Sequence, residues 1–95
     1  MTNIFTYSDI VSIVMEEVLH IEEKRLYNIK NDEYNYSKGI MDKINLLTEE
    51  EYNDFNDEIE KIAELIITMK TGELNELNNC AAEIMHNIDS KWICE

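Results

Sequence analysis

The 95-residue sequence contains no proline and only two glycines. Turn-forming residues of the kind that punctuate β-sheet proteins are therefore scarce, and composition alone favours long helices. Basic residues are also scarce: eight lysines and arginines face 21 aspartates and glutamates, which gives a net charge of −13. Direct binding to DNA, RNA or anionic membranes is therefore disfavoured, because such binding needs basic residues that displace counterions.

The sequence also lacks a long hydrophobic run. The longest candidate, Ile10–Met15, is interrupted by Ser12 and flanked by acidic residues, so it is too short and too polar to span a bilayer. No basic segment of a signal peptide precedes it, and we therefore expect a cytoplasmic protein. The two cysteines, Cys80 and Cys94, fall in one predicted helix and would be about 21 Å apart, too far for a disulfide.

The clearest pattern that is present lies in residues 48–72. Apolar side chains recur there every three or four residues, which is the spacing of a helix packed against another helix. Thr48 and Glu51 form a capping box at its start, and Gly72 can end it. The sequence therefore predicts one unbroken helix over residues 49–71. Its apolar positions are Tyr52, Phe55, Ile59, Ile62, Ile66 and Met69.

Other segments share this periodicity. They predict a helix over residues 9–30 with Ser8 as its N-cap, a short helix over residues 38–47, and a last helix over residues 73–93. Residues 1–7 form a lead-in that either packs onto these helices or frays. The apolar positions of the first helix are Val11, Val14, Val18 and Ile21, widened by Ile10, Met15, Leu26 and Ile29, and those of the last are Leu77, Ala81, Ile84 and Ile88, widened by Met85 and Trp92.

Together these segments predict an all-α fold: a small antiparallel helical bundle of three long helices and one short helix. The chain, residues 1–95, is the size of a single domain. Seams this regular could also be shared with a second copy, so a homodimer is an option. Two charges, Glu22 and Arg25, break the apolar stripe of the first helix and are predicted to pair with each other.

The most specific hint of chemistry is a pair of Glu-x-x-His motifs, Glu17–His20 and Glu83–His86. Helical bundles that hold two irons use this spacing, but their ligands point into the core. Both motifs here are predicted on the sides opposite the apolar seams. We therefore predict no metal site, no cofactor and no catalytic residue, and keep a metal-binding bundle as a second alternative that ligands shared between protomers would restore.

Carboxylates follow the flank of the main helix opposite its seam. A rigid row of them could occupy a basic groove shaped for nucleic acid, whose phosphates repeat about every 3.4 Å along each strand. Two tyrosines in the predicted loop, residues 31–37, are either packed back or held out as contacts. The predicted partner-binding residues are Glu50, Asp54, Asp57, Glu58, Glu64, Tyr34 and Tyr36.

We therefore expect a non-enzymatic inhibitor that blocks a basic, nucleic-acid-binding host protein in the cytoplasm. Anti-CRISPR and anti-restriction proteins, including DNA mimics, are inhibitors of this kind, and phages and other mobile elements encode them. The abundance of residues with AT-rich codons indicates an AT-rich bacterium, virus or mobile element as the source. The alternative is a helical regulatory or structural protein, such as an antitoxin, an immunity protein or an adaptor, that acts through its apolar seams. An acidic surface that serves only solubility is the simplest explanation of the charge.

Overall fold

A computed structural model describes residues 3–30, 33–69 and 77–94. The fold is all-α, as predicted, and no strand occurs within these residues. One isolated parallel bridge joins Phe5 to Ile93. Within the described residues no helix is both long and apolar enough to cross a bilayer. The helices are α1 (Tyr7–Arg25), α2 (Lys38–Asn45), α3 (Glu49–Met69), α4 (Leu77–Asn87) and a short 3₁₀ helix (Ser90–Trp92).

Helix α1 begins earlier and ends earlier than predicted. Ser8 is not its N-cap: the Thr6 hydroxyl accepts from the Asp9 amide at 3.1 Å, and the Asp9 carboxylate accepts from the Thr6 amide at 3.0 Å. Thr6 is the N-cap because Asp9, three positions later, has a carboxylate that can accept from the Thr6 amide. The residue three positions after Ser8 is a valine, which cannot. The helix stops at Arg25 rather than at residue 30, and Leu26, predicted on the apolar stripe, is 67% exposed.

Helix α3 confirms the strongest prediction. The capping box forms as expected, with the Glu51 amide donating to the Thr48 hydroxyl at 3.1 Å and the Thr48 amide donating to the Glu51 carboxylate at 2.9 Å. The helix runs unbroken from Glu49 to Met69. Tyr52 is exposed, so the buried seam starts one turn later than predicted. The buried residues of α3 are Phe55, Ile59, Ile62, Ala63 and Ile66.

The last predicted helix is shorter than expected. Helix α4 ends at Asn87, and the chain then turns into the 3₁₀ helix, whose N-cap Asp89 accepts a hydrogen bond from the Lys91 amide at 3.0 Å. This turn directs the Trp92 side chain into the core, where it is buried. The predicted start of this helix and its predicted break at Gly72 lie outside the described residues, as do the side chains of Met69, Leu77 and Cys80. Cys94 is a free thiol beyond α4.

The lead-in at the N-terminus packs onto the helices instead of fraying. Phe5 is fully buried and stacks on Phe55 with ring centroids 4.7 Å apart, and Phe55 meets Trp92 edge to face at 4.9 Å. The Phe5 amide donates to the Trp92 carbonyl at 3.1 Å, and the Cys94 amide donates to the Phe5 carbonyl at 2.8 Å. The two end segments are therefore tied together over α3. The remaining core comes from α1, which packs mainly on α3, from α4, which contacts both, and from Ile40 of α2.

Candidate functional site

Three of the predicted acidic residues line one groove between α3 and the C-terminal segment. Asp54, Asp57 and Glu58 follow the three-four spacing that puts side chains on one helix face. The groove has a volume of about 490 Å³, and we refer to it as the acidic groove. Glu50 precedes it on α3, and Glu64 lies farther along the helix. The other residues that line the acidic groove are Lys61, Asn87 and Asp89.

Asp54 is held by a base from the C-terminal segment. The Lys91 ammonium lies 2.7 Å from its carboxylate, and the hydrogen bond that Lys91 donates to Asp54 raises the pKa of Lys91. The two side chains are 57% and 45% exposed. An ion pair in this much solvent contributes little to stability, and a basic group on a partner could exchange with it.

Glu58 is committed to the fold. Its Oε2 accepts a hydrogen bond from the Trp92 indole at 2.8 Å, and its Oε1 accepts one from the Asp89 amide. Both oxygens therefore fix the turn that buries Trp92. The sequence predicted this residue as a contact for a partner; within the fold it anchors the C-terminal segment.

Glu64 is also engaged within the molecule. Arg25 of α1 reaches across and binds it through both nitrogens of its fork, at 2.9 and 2.6 Å. The sequence predicted a pair between Arg25 and Glu22 on the same helix, and it missed this bridge to α3. Two-point pairing of this kind fixes orientation as well as charge, so it joins the ends of the two helices.

Glu50 and Asp57 are the predicted acids left facing solvent. Both are exposed, and neither has a hydrogen-bond or ion-pair partner within the described residues. Asp57 has a second distinction, because it lines the acidic groove and also a cleft of about 480 Å³ between α1 and α3. We refer to the latter as the α1–α3 cleft.

The two predicted tyrosines pack back onto α1. Tyr34 stacks on His20 with ring centroids 3.8 Å apart, and Tyr36 stacks on Tyr34 at 5.4 Å. The Tyr34 hydroxyl donates to Glu17 Oε2 at 3.0 Å, and His20 Nε2 donates to the Glu33 carbonyl at 2.6 Å. Burial raises the pKa of both phenols; the next cause is the hydrogen bond to Glu17 for Tyr34 and the negative charge of Glu17 for Tyr36. The two tyrosines therefore pack against α1, while Tyr34 remains 40% exposed.

Glu17 corrects the prediction that its motif faces away from the core. The residue is only 8% exposed, and it lines the α1–α3 cleft. Its Oε2 accepts the hydrogen bond from Tyr34, and among the described residues the buried side-chain atom that lacks a hydrogen-bond partner is Glu23 Oε2, not an oxygen of Glu17. A signal for its burial was present in the sequence, because Glu17 continues the four-three spacing of Ile10 and Val14 toward Ile21. The prediction of an exposed side chain relied on the charge of Glu17 instead of its position in the apolar repeat.

The Glu-x-x-His motifs do not assemble into a shared site. In the described parts of the chain, no three histidine, cysteine, aspartate or glutamate side chains converge as metal ligands. Glu17 and His20 contact the tyrosines, while the Glu83 carboxylate accepts from the Asn87 side chain and His86 is exposed.

Comparison with known proteins adds no relative to this picture. No protein-family model, no curated protein and no solved structure matches the chain. The proposals below therefore rest on the residues themselves.

Proposed function

We propose that this chain is a non-enzymatic binding protein, encoded by a phage or mobile element, that docks on the basic surface of a nucleic-acid-binding host protein in the cytoplasm. The observation that carries the proposal is the solvent-facing flank of α3. Glu50, Asp54 and Asp57 are all exposed there. Their steps of four and three residues correspond to rises of about 6 and 4.5 Å, of the same order as phosphate spacings in a nucleic-acid strand.

The contacts within the molecule reduce the set of acidic residues that can bind the partner, which we refer to as the docking set. Glu58 holds Trp92, so reversing its charge would damage the fold as well as any interface, and Glu64 is occupied by a two-point pair with Arg25. Asp54 belongs to the docking set through an exchangeable, solvated pair. Glu50 and Asp57 are the residues whose substitution tests the surface cleanly.

Inhibition of DNA cleavage tests the proposal. The protein is added to a panel of purified restriction and CRISPR nucleases, and the cleavage rate is measured. We expect inhibition of at least one nuclease, relieved by excess DNA and by salt, since long-range attraction between exposed charges is screened. Asp57→Lys should weaken that inhibition at least tenfold.

A matched variant controls for net charge. Asp42 is an exposed aspartate of α2 without a hydrogen-bond or ion-pair partner within the described residues. Asp42→Lys therefore changes the total charge as Asp57→Lys does, and it should leave inhibition nearly intact. Equal losses in both variants would show that bulk charge, not the α3 flank, matters. A complete lack of inhibition across the panel would reject the inhibitor function.

A second candidate is a helical interaction protein that binds through apolar surface. The predicted seam of α3 is largely occupied by the chain's own core, but Met41, Leu46 and Tyr52 remain exposed. Met41 and Tyr52 flank an apolar pocket of about 130 Å³ at α2. For this function, or for a homodimer on the same face, Met41→Asp should abolish binding and Asp57→Lys should not.

A further inference from the structure

The apolar pocket at α2, which we refer to as the α2 pocket, differs from the rest of the surface in its lack of charge. Three buried side chains of the core line it, Ile13, Phe55 and Ile59, together with Tyr36 and Tyr52 at more exposed positions. Charged residues make up 31% of the chain. None of the described side chains that line the pocket is charged. The pocket therefore suits a neutral ligand, because burial of an unpaired ion is unfavourable.

The size of the α2 pocket fits one six-membered ring. Its volume is about 130 Å³, and an apolar cavity of about 150 Å³ in another protein is sufficient to bind benzene. Three of the side chains that line the pocket, Tyr36, Tyr52 and Phe55, are aromatic. Aromatic rings pack favourably against one another in stacked or edge-to-face arrangements. A monocyclic aromatic compound therefore matches both the volume and the lining.

Polar groups of the α2 pocket favour a ligand that can also form a hydrogen bond. Tyr36 is half-buried, and its hydroxyl has no hydrogen-bond partner in the part of the chain that the structure describes. Burial, followed by the negative charge of Glu17, raises the pKa of Tyr36, so the hydroxyl stays protonated and can donate. The Asn45 amide lines the same pocket and likewise has no partner among the described residues. A tyrosine hydroxyl removed from solvent usually has a partner, and a ligand can supply one here.

We propose that the α2 pocket binds a neutral, monocyclic aromatic small molecule with one hydrogen-bonding substituent, of the phenol class. A protein partner fits less well: the exposed apolar residues of α2, its C-cap and the described part of α3 are Met41, Leu46 and Tyr52, whereas a stable interface uses about 20–30 residues on each side. A second copy would bring together two chains that each carry a net charge of −13. The pocket lies on the seam side of α3, opposite the carboxylate flank, so the inference does not depend on the function proposed above.

Titration with phenol, followed by NMR shifts of backbone amides, tests the pocket directly. We expect saturable shifts that cluster on α2 and on residues 52–59 of α3. The Tm should rise with phenol concentration, because a ligand that binds the folded state stabilises it. Benzoate carries a negative charge on the same ring, and it should bind at least about tenfold more weakly, because the pocket offers no base to pair with it.

Two variants locate the ligand in the pocket. Tyr36→Phe keeps the ring and removes the hydroxyl, so it should lower the affinity for phenol about threefold or more and leave the affinity for benzene nearly unchanged. Tyr52→Ala removes a ring at an exposed position and should lower the affinity for both compounds about threefold or more. Tyr27→Phe, at an exposed tyrosine outside the pocket, is the control and should change neither affinity.

Several results would overturn the inference, and none of them involves nuclease inhibition. The first is a wild type without saturable shifts, and the second is a phenol affinity that is unchanged in Tyr36→Phe or in Tyr52→Ala. N-acetyl-tyrosine amide carries the same ring on a peptide backbone; if it binds more tightly than phenol, the pocket receives a protein side chain instead of a small molecule. A dimer that Met41→Asp dissociates in sedimentation, with no phenol binding to the wild type, would assign the pocket to a second copy.

Discussion

Truncation of Phe5 to alanine probes the contact that ties the two ends of the chain together. The ring is fully buried, stacks on Phe55, and sits where the amide and carbonyl of the same residue bond to the C-terminal segment. Phe5→Ala removes the ring and leaves a cavity beside Phe55, while the backbone hydrogen bonds can remain.

The expected loss is large relative to total stability. Replacing a buried phenylalanine by alanine costs about 3–5 kcal/mol, since burial of the ring is lost and the cavity does not fully collapse. A domain of this length has a free energy of unfolding of about 5–14 kcal/mol, at about 0.05–0.15 kcal/mol per residue. Phe5→Ala should therefore remove about a fifth of the stability or more, and lower Tm by about 12 °C or more.

Urea unfolding followed by tryptophan fluorescence measures this change. Trp92 is the only tryptophan and is buried beside Phe55, so its emission reports the packing of this region. Tyr27→Ala, at an exposed aromatic residue, serves as the control and should change stability by less than about 0.5 kcal/mol. If Phe5→Ala costs as little as this control, the N-terminal segment does not support the core and the packing argument is wrong.

Two further predictions concern polar contacts. Glu58→Gln keeps the shape of the side chain but lets it accept only one of its two donated hydrogen bonds, so the free energy of unfolding reported by Trp92 should fall by about 1–3 kcal/mol; an unchanged free energy of unfolding would show that the anchor is dispensable. Burial alone would raise the pKa of Asp9, but bonds from Lys43 and Thr6 outweigh it and lower that pKa. The contribution of Asp9 is therefore present above its ordinary pKa and is lost as the pH falls through the lowered value. The stability gap between wild type and Asp9→Asn should shrink from pH 7 to about pH 2, and an equal gap at both pH values would contradict this assignment.

The sequence predicted those parts of the fold whose signals are local. Helix α3 has its capping box and apolar period within the same stretch, and both are found. The predictions were wrong where a residue distant in the sequence determines the local structure. The last helix ends at Asn87 because the chain turns at Asp89, and Glu58 of α3 and the Phe5 segment then hold Trp92 in place. Neither contact can be recognised from the spacing of apolar side chains within residues 73–93.

For the candidate site, the sequence located the carboxylates but not their partners. Asp54 and Glu64 are bound by Lys91 and Arg25, which come from other elements and can be recognised only once the chain is folded. Glu17 differs, because its position in the apolar repeat of α1 indicates burial, whereas the prediction relied on its charge. In a chain this acidic, a glutamate that keeps the apolar phase is the more informative residue.

The contact between Phe5 and the C-terminal segment also bears on synthesis. A ribosome releases the chain from its amino end, so this ring emerges when Trp92 and Cys94, whose backbones hold it, have yet to be polymerised. Pairings that span nearly the whole sequence form late, and the uncovered ring leaves the nascent chain prone to association until then. The ribosome must therefore synthesise the 3₁₀ helix before the core can form. A nascent chain that ends at residue 90 would leave the Phe5 ring uncovered and able to bind chaperones.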